Sequence, residues 1–252
     1  MAAPATTFAR ARSEEQREAR RTAILAAAAE LLAGGTRVAE LSLNELARHV
    51  GLAKSNVLRY FETREAVLLT LLDEQYAAWL DAIEAEVEVE AGPARVDASE
   101  PVERIAELVS RTIAERPVLS ELLANAATVL EHNVSAEIAA DYKHRAVAQA
   151  TRLVHLIERA VGTLPEASEL ALAGAINLVI GGAWGMCRPS PGMAAAYTKY
   201  PELQVMQLDY RVSVRELIAT VLTGLLARRP STVQADPGPV RSGSAALAAH
   251  DS

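Results

Sequence analysis

The stretch Leu43 to Glu62, LNELARHVGLAKSNVLRYFE, constrains this chain more than any other. Its apolar positions recur at helical spacing in two short runs. Leu46, Ala47 and Val50 share one face of the first run, and Val57, Leu58 and Phe61 form the inner face of the second. Gly51 stands between them, where the chain must reverse sharply and a positive φ is expected. Leu52 then offers an apolar plug, and Ala47 is small where two crossing helices must approach. Ser42-Leu43-Asn44-Glu45 is a capping box that opens the first run. This is the layout of a helix-turn-helix, whose second helix enters the major groove of DNA, and it favours gene regulation over catalysis.

A net charge of −7 looks unsuited to a DNA binder until it is divided along the chain. Residues 1–64 hold ten Lys/Arg against seven Asp/Glu, a surplus of three positive charges, so the remaining residues carry ten negative charges. A basic head on an acidic body attracts phosphate without making the whole protein adhere to nucleic acid. With 252 residues there is room for one or two domains and a sizeable core, and aromatic residues at only 4% amid abundant Ala and Leu favour helix over sheet. Cys187, the single cysteine, has no partner for an internal disulfide; it suits a reducing cytoplasm and reads as a buried structural thiol. Residues 1–13 lack the apolar core of a secretory signal and read as a mobile arm carrying Arg10 and Arg12.

Helix signals surround the turn. Ser13-Glu14-Glu15-Gln16 fits a capping box for a first helix through Ile24, Leu25, Ala28, Leu31 and Leu32, stopped by Gly34-Gly35. Thr63 is a cap for a fourth helix, with Val67, Leu68, Leu71 and Leu72 on its apolar side, continuing through Trp79 toward Ile83. Together these features resemble the TetR family of bacterial transcriptional repressors over roughly residues 15–72. The carrying residues are the turn Ala47 and Gly51, the Tyr60-Phe61 ending of the second helix, and Thr63-Arg64-Glu65-Ala66. The resemblance implies DNA contacts at matching positions. Ser42 would meet backbone phosphate, and Lys54, Ser55 and Asn56 at the start of the recognition helix would meet base edges. Arg59 and Tyr60 would meet phosphates or bases, and Thr63 and Arg64 would form a phosphate clamp. Physical chemistry supports these assignments: helix N-termini favour phosphate, Asn can bond adenine bidentately, and Arg pairs with guanine or phosphate. Ala53 departs from the Ser or Thr cap usual in the family, and Leu58-Arg59 replace its common aromatic pair.

The expected fold is all-α, with an N-terminal arm and DNA-binding head (1–64), a helical ligand-binding and dimerisation body (65–228) and a disordered tail (229–252). Residues 85–100 read as an acidic Gly/Pro-containing connection. Pro101 and Pro117 suit first helical turns, Ser135 caps a long helix interrupted at Gly162 and Pro165, and Arg188–Leu203, with three prolines, reads as a loop. Leu170 to Cys187 carries no formal charge over eighteen residues. That reaches the lower limit for a membrane span, but four glycines and Asn177 favour a soluble helix buried on several sides, with no membrane partner. Gly174, Ala175, Gly181 and Gly185 would let another helix approach. Val214, Leu217, Ile218, Val221, Leu222 and Leu225 make an apolar face for a packing partner. The resemblance implies a homodimer through these last two long helices, which would place two recognition helices one turn apart on a palindromic operator.

The resemblance also implies a mostly apolar pocket for a small-molecule effector, with Trp79, Tyr142, Asn177, Trp184 and Met186 as possible lining. No cofactor is called for. No HExxH, GxSxG, phosphate-binding glycine loop or dinucleotide fingerprint occurs, so no catalytic residue is assigned. His144 and His155 share a helix face about 16 Å apart, too far to hold one metal, and His132 is no better placed. The reading is a repressor released from its operator by a small molecule. The alternative is a helical ligand-binding protein or enzyme with an incidental helix-turn-helix.

Overall fold

The structure, a computed structural model, describes residues 5–90, 101–165 and 168–228, with side chains over 14–88, 101–165 and 168–228. Ten α-helices follow one another among these residues: α1 (Ala5–Ala33), α2 (Leu43–Val50), α3 (Lys54–Val57), α4 (Arg64–Glu90), α5 (Pro101–Ala114), α6 (Pro117–Asn125), α7 (Ala136–Val161), α8 (Glu169–Met186), α9 (Pro191–Lys199) and α10 (Tyr210–Ala227). There is no strand among the described residues.

The head is built on α1, which buries Ile24, Leu25, Ala27, Ala28 and Leu32 against α2 and α4. Two helix ends in the head close by the same paired hydrogen bonds. At α1, Gly35 N–H reaches Leu32 C=O at 3.1 Å and Thr36 N–H reaches Leu31 C=O at 3.1 Å. At α2, Gly51 N–H reaches Arg48 C=O at 3.2 Å and Leu52 N–H reaches Ala47 C=O at 2.9 Å. Both closures need a left-handed residue, and the glycines supply it with φ of 99° and 70°. The second closure engages the Leu52 backbone, and its side chain packs against the core, so the apolar plug expected from the sequence also ends the helix.

The long helix α4 ties head to body. Its first three-quarters buries Val67, Leu68, Leu71, Leu72, Tyr76, Trp79, Leu80 and Ile83, and it packs against α1, α5, α6 and α7. Trp79 is fully enclosed and its indole N–H donates to Thr112 Oγ1 at 3.0 Å, so burial leaves no polar atom unmet. In the body α10 packs on α5 and α8, and α8 packs on α6 and α7. The α6–α8 crossing is close at Gly181, where a Cβ would stand 3.1 Å from Ala124 Cα.

Several expectations are corrected. Among the described residues α1 is continuous from Ala5, so Ser13 lies inside a helix rather than capping one. A cap preference of about 1 kcal/mol does not end a helix when the flanking run is rich in good helix formers. The second helix of the turn motif ends at Val57 and continues to Phe61 as overlapping turns, and Leu58 is 41% exposed rather than inward-facing. Helix α4 runs through 85–90, and residues 91–100 lie outside the described residues, as do 1–4 and the expected tail 229–252. The supposed loop after Arg188 contains α9 and a 3₁₀ segment, Pro201–Met206. Helix α8 is not buried on several sides. Leu172, Ala173, Ile176, Ile180 and Ala183 face inward, while Leu170, Leu178 and Met186 are 65%, 78% and 65% exposed. By length and composition α8 could cross a membrane, yet only 28% of it is buried. Gly174 and Gly185 face open space, so Gly181 alone of the three expected glycines provides a close approach. Cys187 is half-buried, and burial, with Asp209 nearby, pushes its thiol pKa up.

Candidate nucleic-acid interface

The turn motif is positioned by caps and clamps. Ser42 has extended backbone and its Oγ accepts from Glu45 N–H at 3.1 Å, so the hydroxyl caps α2 while remaining exposed. Ala53 begins α3 without a side-chain cap. Lys54, Ser55, Asn56 and Arg59 are exposed, whereas Val57 and Phe61 anchor the segment in the core. The end of this segment is held by a residue that sequence reasoning missed. Arg21 of α1 donates from Nη1 to Tyr60 C=O at 3.0 Å, and its guanidinium lies 4.4 Å from the Phe61 ring centroid. The neighbouring His49 Nε2 and Glu30 Oε2, 2.8 Å apart, join α2 to α1.

Thr63 caps α4, its Oγ1 accepting from Ala66 N–H at 3.0 Å. Arg64 is engaged differently from a free phosphate clamp. Nη1 donates to Leu41 C=O at 3.0 Å and Val38 C=O at 3.3 Å, and Nη2 and Nε reach Glu65 Oε1 at 2.8 and 3.1 Å. Glu65 is only 7% exposed. The guanidinium is therefore spent on fixing the α1–α2 connection to the start of α4. Its fork geometry suits that task, since two carbonyls and one carboxylate are met at once.

An open groove of about 790 Å³ runs between α1 and the recognition segment, lined by Gln16, Arg17, Ala19, Arg20, Ala23, Arg59 and Tyr60. Arg17, Arg20 and Arg59 are exposed, and no ion pair engages them among the described residues. Three guanidiniums on one groove concentrate positive charge there. The signal for Arg17 and Arg20 was present as a basic run, QREARR, at helical spacing.

The candidate pocket residues of the body fall into separate places. Trp79 sits edge-on to Tyr76 with centroids 5.2 Å apart, and Tyr76 Oη donates to Asn177 Oδ1 at 3.1 Å. Burial pushes the Tyr76 phenol upward and takes nearby Tyr142 to about 12. Trp184 lies elsewhere, edge-on to Tyr210 at 5.2 Å and bonded to Glu121. Met186 is 65% exposed on α8. His132, His144 and His155 are all exposed.

Residues 73–229 match a family model described as "Tetracyclin repressor-like, C-terminal domain". A search of curated proteins gives no match. Among solved structures, a putative tetR family transcription regulator from Shewanella sp. PV-4 is 18% identical, covering 80% of this chain and 96% of that one, with a TM-score of 0.46. A TetR transcriptional regulator from Rhodococcus sp. RHA1 is 16% identical, covering 83% and 99%, with a TM-score of 0.49. The TetR family transcriptional regulator PfmR from Thermus thermophilus is 19% identical, covering 80% and 98%, with a TM-score of 0.43.

Proposed function

This chain belongs to the tetracyclin repressor-like (TetR) family of transcriptional regulators, and from that premise we propose that it is a cytoplasmic homodimeric repressor rather than an enzyme, binding a palindromic operator and released by a small molecule. The observation that carries the DNA reading is the exposed row Lys54, Ser55, Asn56 and Arg59 on a segment anchored from beneath by Val57, Phe61 and Arg21. Rigid support with free polar tips is what base reading requires. Asn56 reads a base edge. Ser42, Lys54, Ser55, Arg59, Tyr60 and Thr63 set register on the backbone or adjoining bases, and Arg17 and Arg20 extend the phosphate track along α1. Arg64 serves as scaffold.

Leu170, Leu178 and Met186 on α8 and Val212 and Leu217 on α10 are exposed apolar side chains of two long helices. A second copy covering them forms the dimer, and two-fold symmetry makes the operator palindromic. An effector with an apolar body and one polar group suits the region around Tyr76, Trp79, Tyr142 and Asn177. It releases DNA only by binding better to the body conformation that misplaces the heads. Selection of duplexes from random DNA by the purified protein tests the proposal. Enrichment of a palindrome supports it; no enriched sequence overturns it.

A further inference from the structure

Val38 is a fully buried residue of the α1–α2 connection, and side chains hold both of its backbone groups. Its C=O accepts from Arg64, as described above, and its N–H donates to Glu121 Oε1 at 3.0 Å. Glu121 comes from α6 in the body, 83 residues along the chain. The other oxygen of the same carboxylate, Oε2, accepts from Trp184 Nε1 at 2.8 Å and Arg188 Nη1 at 3.3 Å. Trp184 lies in the last turn of α8 and Arg188 just beyond it; the Arg188 guanidinium sits 4.9 Å from the Trp184 ring centroid. Asn125 Nδ2 stands 3.4 Å from Oε1.

Glu121 is 8% exposed, and a buried carboxylate persists only where donors meet it. Stability alone does not call for a charge here, because an apolar side chain of similar size often serves as well or better. What an apolar side chain cannot do is hold two separate elements through one rigid planar group. Oε1 grips the connection that leads directly into the Ser42 cap and the turn motif. Oε2 grips the end of α8, whose other face carries exposed Leu178 and Met186. A shift in the last turn of α8 that draws on Oε2 turns Oε1 away from Val38.

The structure assigns Glu121 as a positioning residue that sets the DNA-binding head on the body, linking the end of α8 to the α1–α2 connection and so fixing the separation of the two recognition segments in a dimer. The last part rests on the DNA-binding reading above; the link itself does not.

The test has two arms, both on the full chain. In the first, amide hydrogen exchange is measured without DNA in wild type, Glu121→Ala, Glu121→Gln and Trp184→Phe. Loss of a buried hydrogen bond to a charged acceptor should speed Val38 exchange in Glu121→Ala by about 10- to 100-fold, while Leu72 and Leu80 in the α4 core keep their protection. Trp184→Phe leaves Val38's own acceptor in place, yet should also speed Val38 exchange. An unchanged Val38 rate in Glu121→Ala overturns the contact, and an unchanged rate in Trp184→Phe overturns the link to α8. If Glu121→Ala loses core protection altogether, Glu121→Gln decides. Its single acceptor oxygen cannot serve both sides, so either the Val38 amide or the Trp184 indole proton must exchange faster; neither doing so overturns the assignment.

In the second arm, binding is measured to the selected operator and to versions with one base pair added or removed between half-sites. Wild type should prefer one spacing, and Glu121→Ala should lose about tenfold of that discrimination. An equal loss of affinity at every spacing would mark a merely structural role and overturn the positioning claim. If wild type binds no operator, the DNA reading fails, while the exchange arm still decides the link.

Discussion

Arg64→Ala separates two roles that the residue's position allows. The family resemblance implies a phosphate clamp at Arg64; the structure gives its guanidinium to Leu41 C=O, Val38 C=O and Glu65. Truncation leaves Glu65, 7% exposed, as a buried carboxylate without its cation, and takes a donor from each of two carbonyls. Removing one partner of a fully buried pair costs about 3–5 kcal/mol. The Arg64 side chain is 21% exposed, and water admitted by its loss relieves part of that, so we expect about 2–3 kcal/mol. Set against total stabilities of about 5–15 kcal/mol, this is a large fraction. The assay is urea unfolding followed by DNA binding of the folded fraction across a salt series. Arg64→Ala should lower the urea midpoint, and adding Glu65→Gln should recover about 1 kcal/mol by removing the stranded charge. The salt dependence of binding should be unchanged. An unaltered urea midpoint, with a salt slope reduced by about one, would refute the reasoning and make Arg64 a phosphate contact.

Two further outcomes follow from the packing. Gly181→Ala places a methyl group 3.1–3.2 Å from the Ala124 backbone, which cannot move aside as a side chain would, so stability should fall by about 1–3 kcal/mol in urea unfolding. Leu178→Asp alters a side chain that is 78% exposed in the single chain. It should leave the helical circular dichroism intact while shifting analytical ultracentrifugation from dimer to monomer; an undisturbed dimer would remove α8 from the interface.

Local chemistry was legible in the sequence, and distant pairing was not. Ser42, Ser135, Pro117 and Gly51 mark helix ends by rules acting within a few residues, and the structure places caps or first turns there. The same rules act at Ser190-Pro191, where Ser190 Oγ accepts from Met193 N–H and α9 begins, although three prolines in this stretch favour a loop by composition. At Ser13 the local rule was outweighed by helix-forming neighbours. For α8, apolar character alone does not distinguish a helix buried on several sides from one that leaves Leu170, Leu178 and Met186 exposed. The contact of Glu121 with Val38 joins residues 83 apart, and neither carries a motif, so no pattern in the chain announced it. Arg64 was found by pattern but assigned outward, because sequence shows that a cation stands beside a carboxylate and does not show two carbonyls waiting within reach.

The central claim is tested most directly by fluorescence anisotropy of the wild-type protein on its selected operator and on a scrambled duplex of equal length, over a series of salt concentrations. Affinity should fall steeply with salt on both duplexes, the operator should be preferred by at least about 10³-fold, and that preference should collapse in Asn56→Ala. Equal affinity for the two duplexes at every salt concentration would contradict the claim.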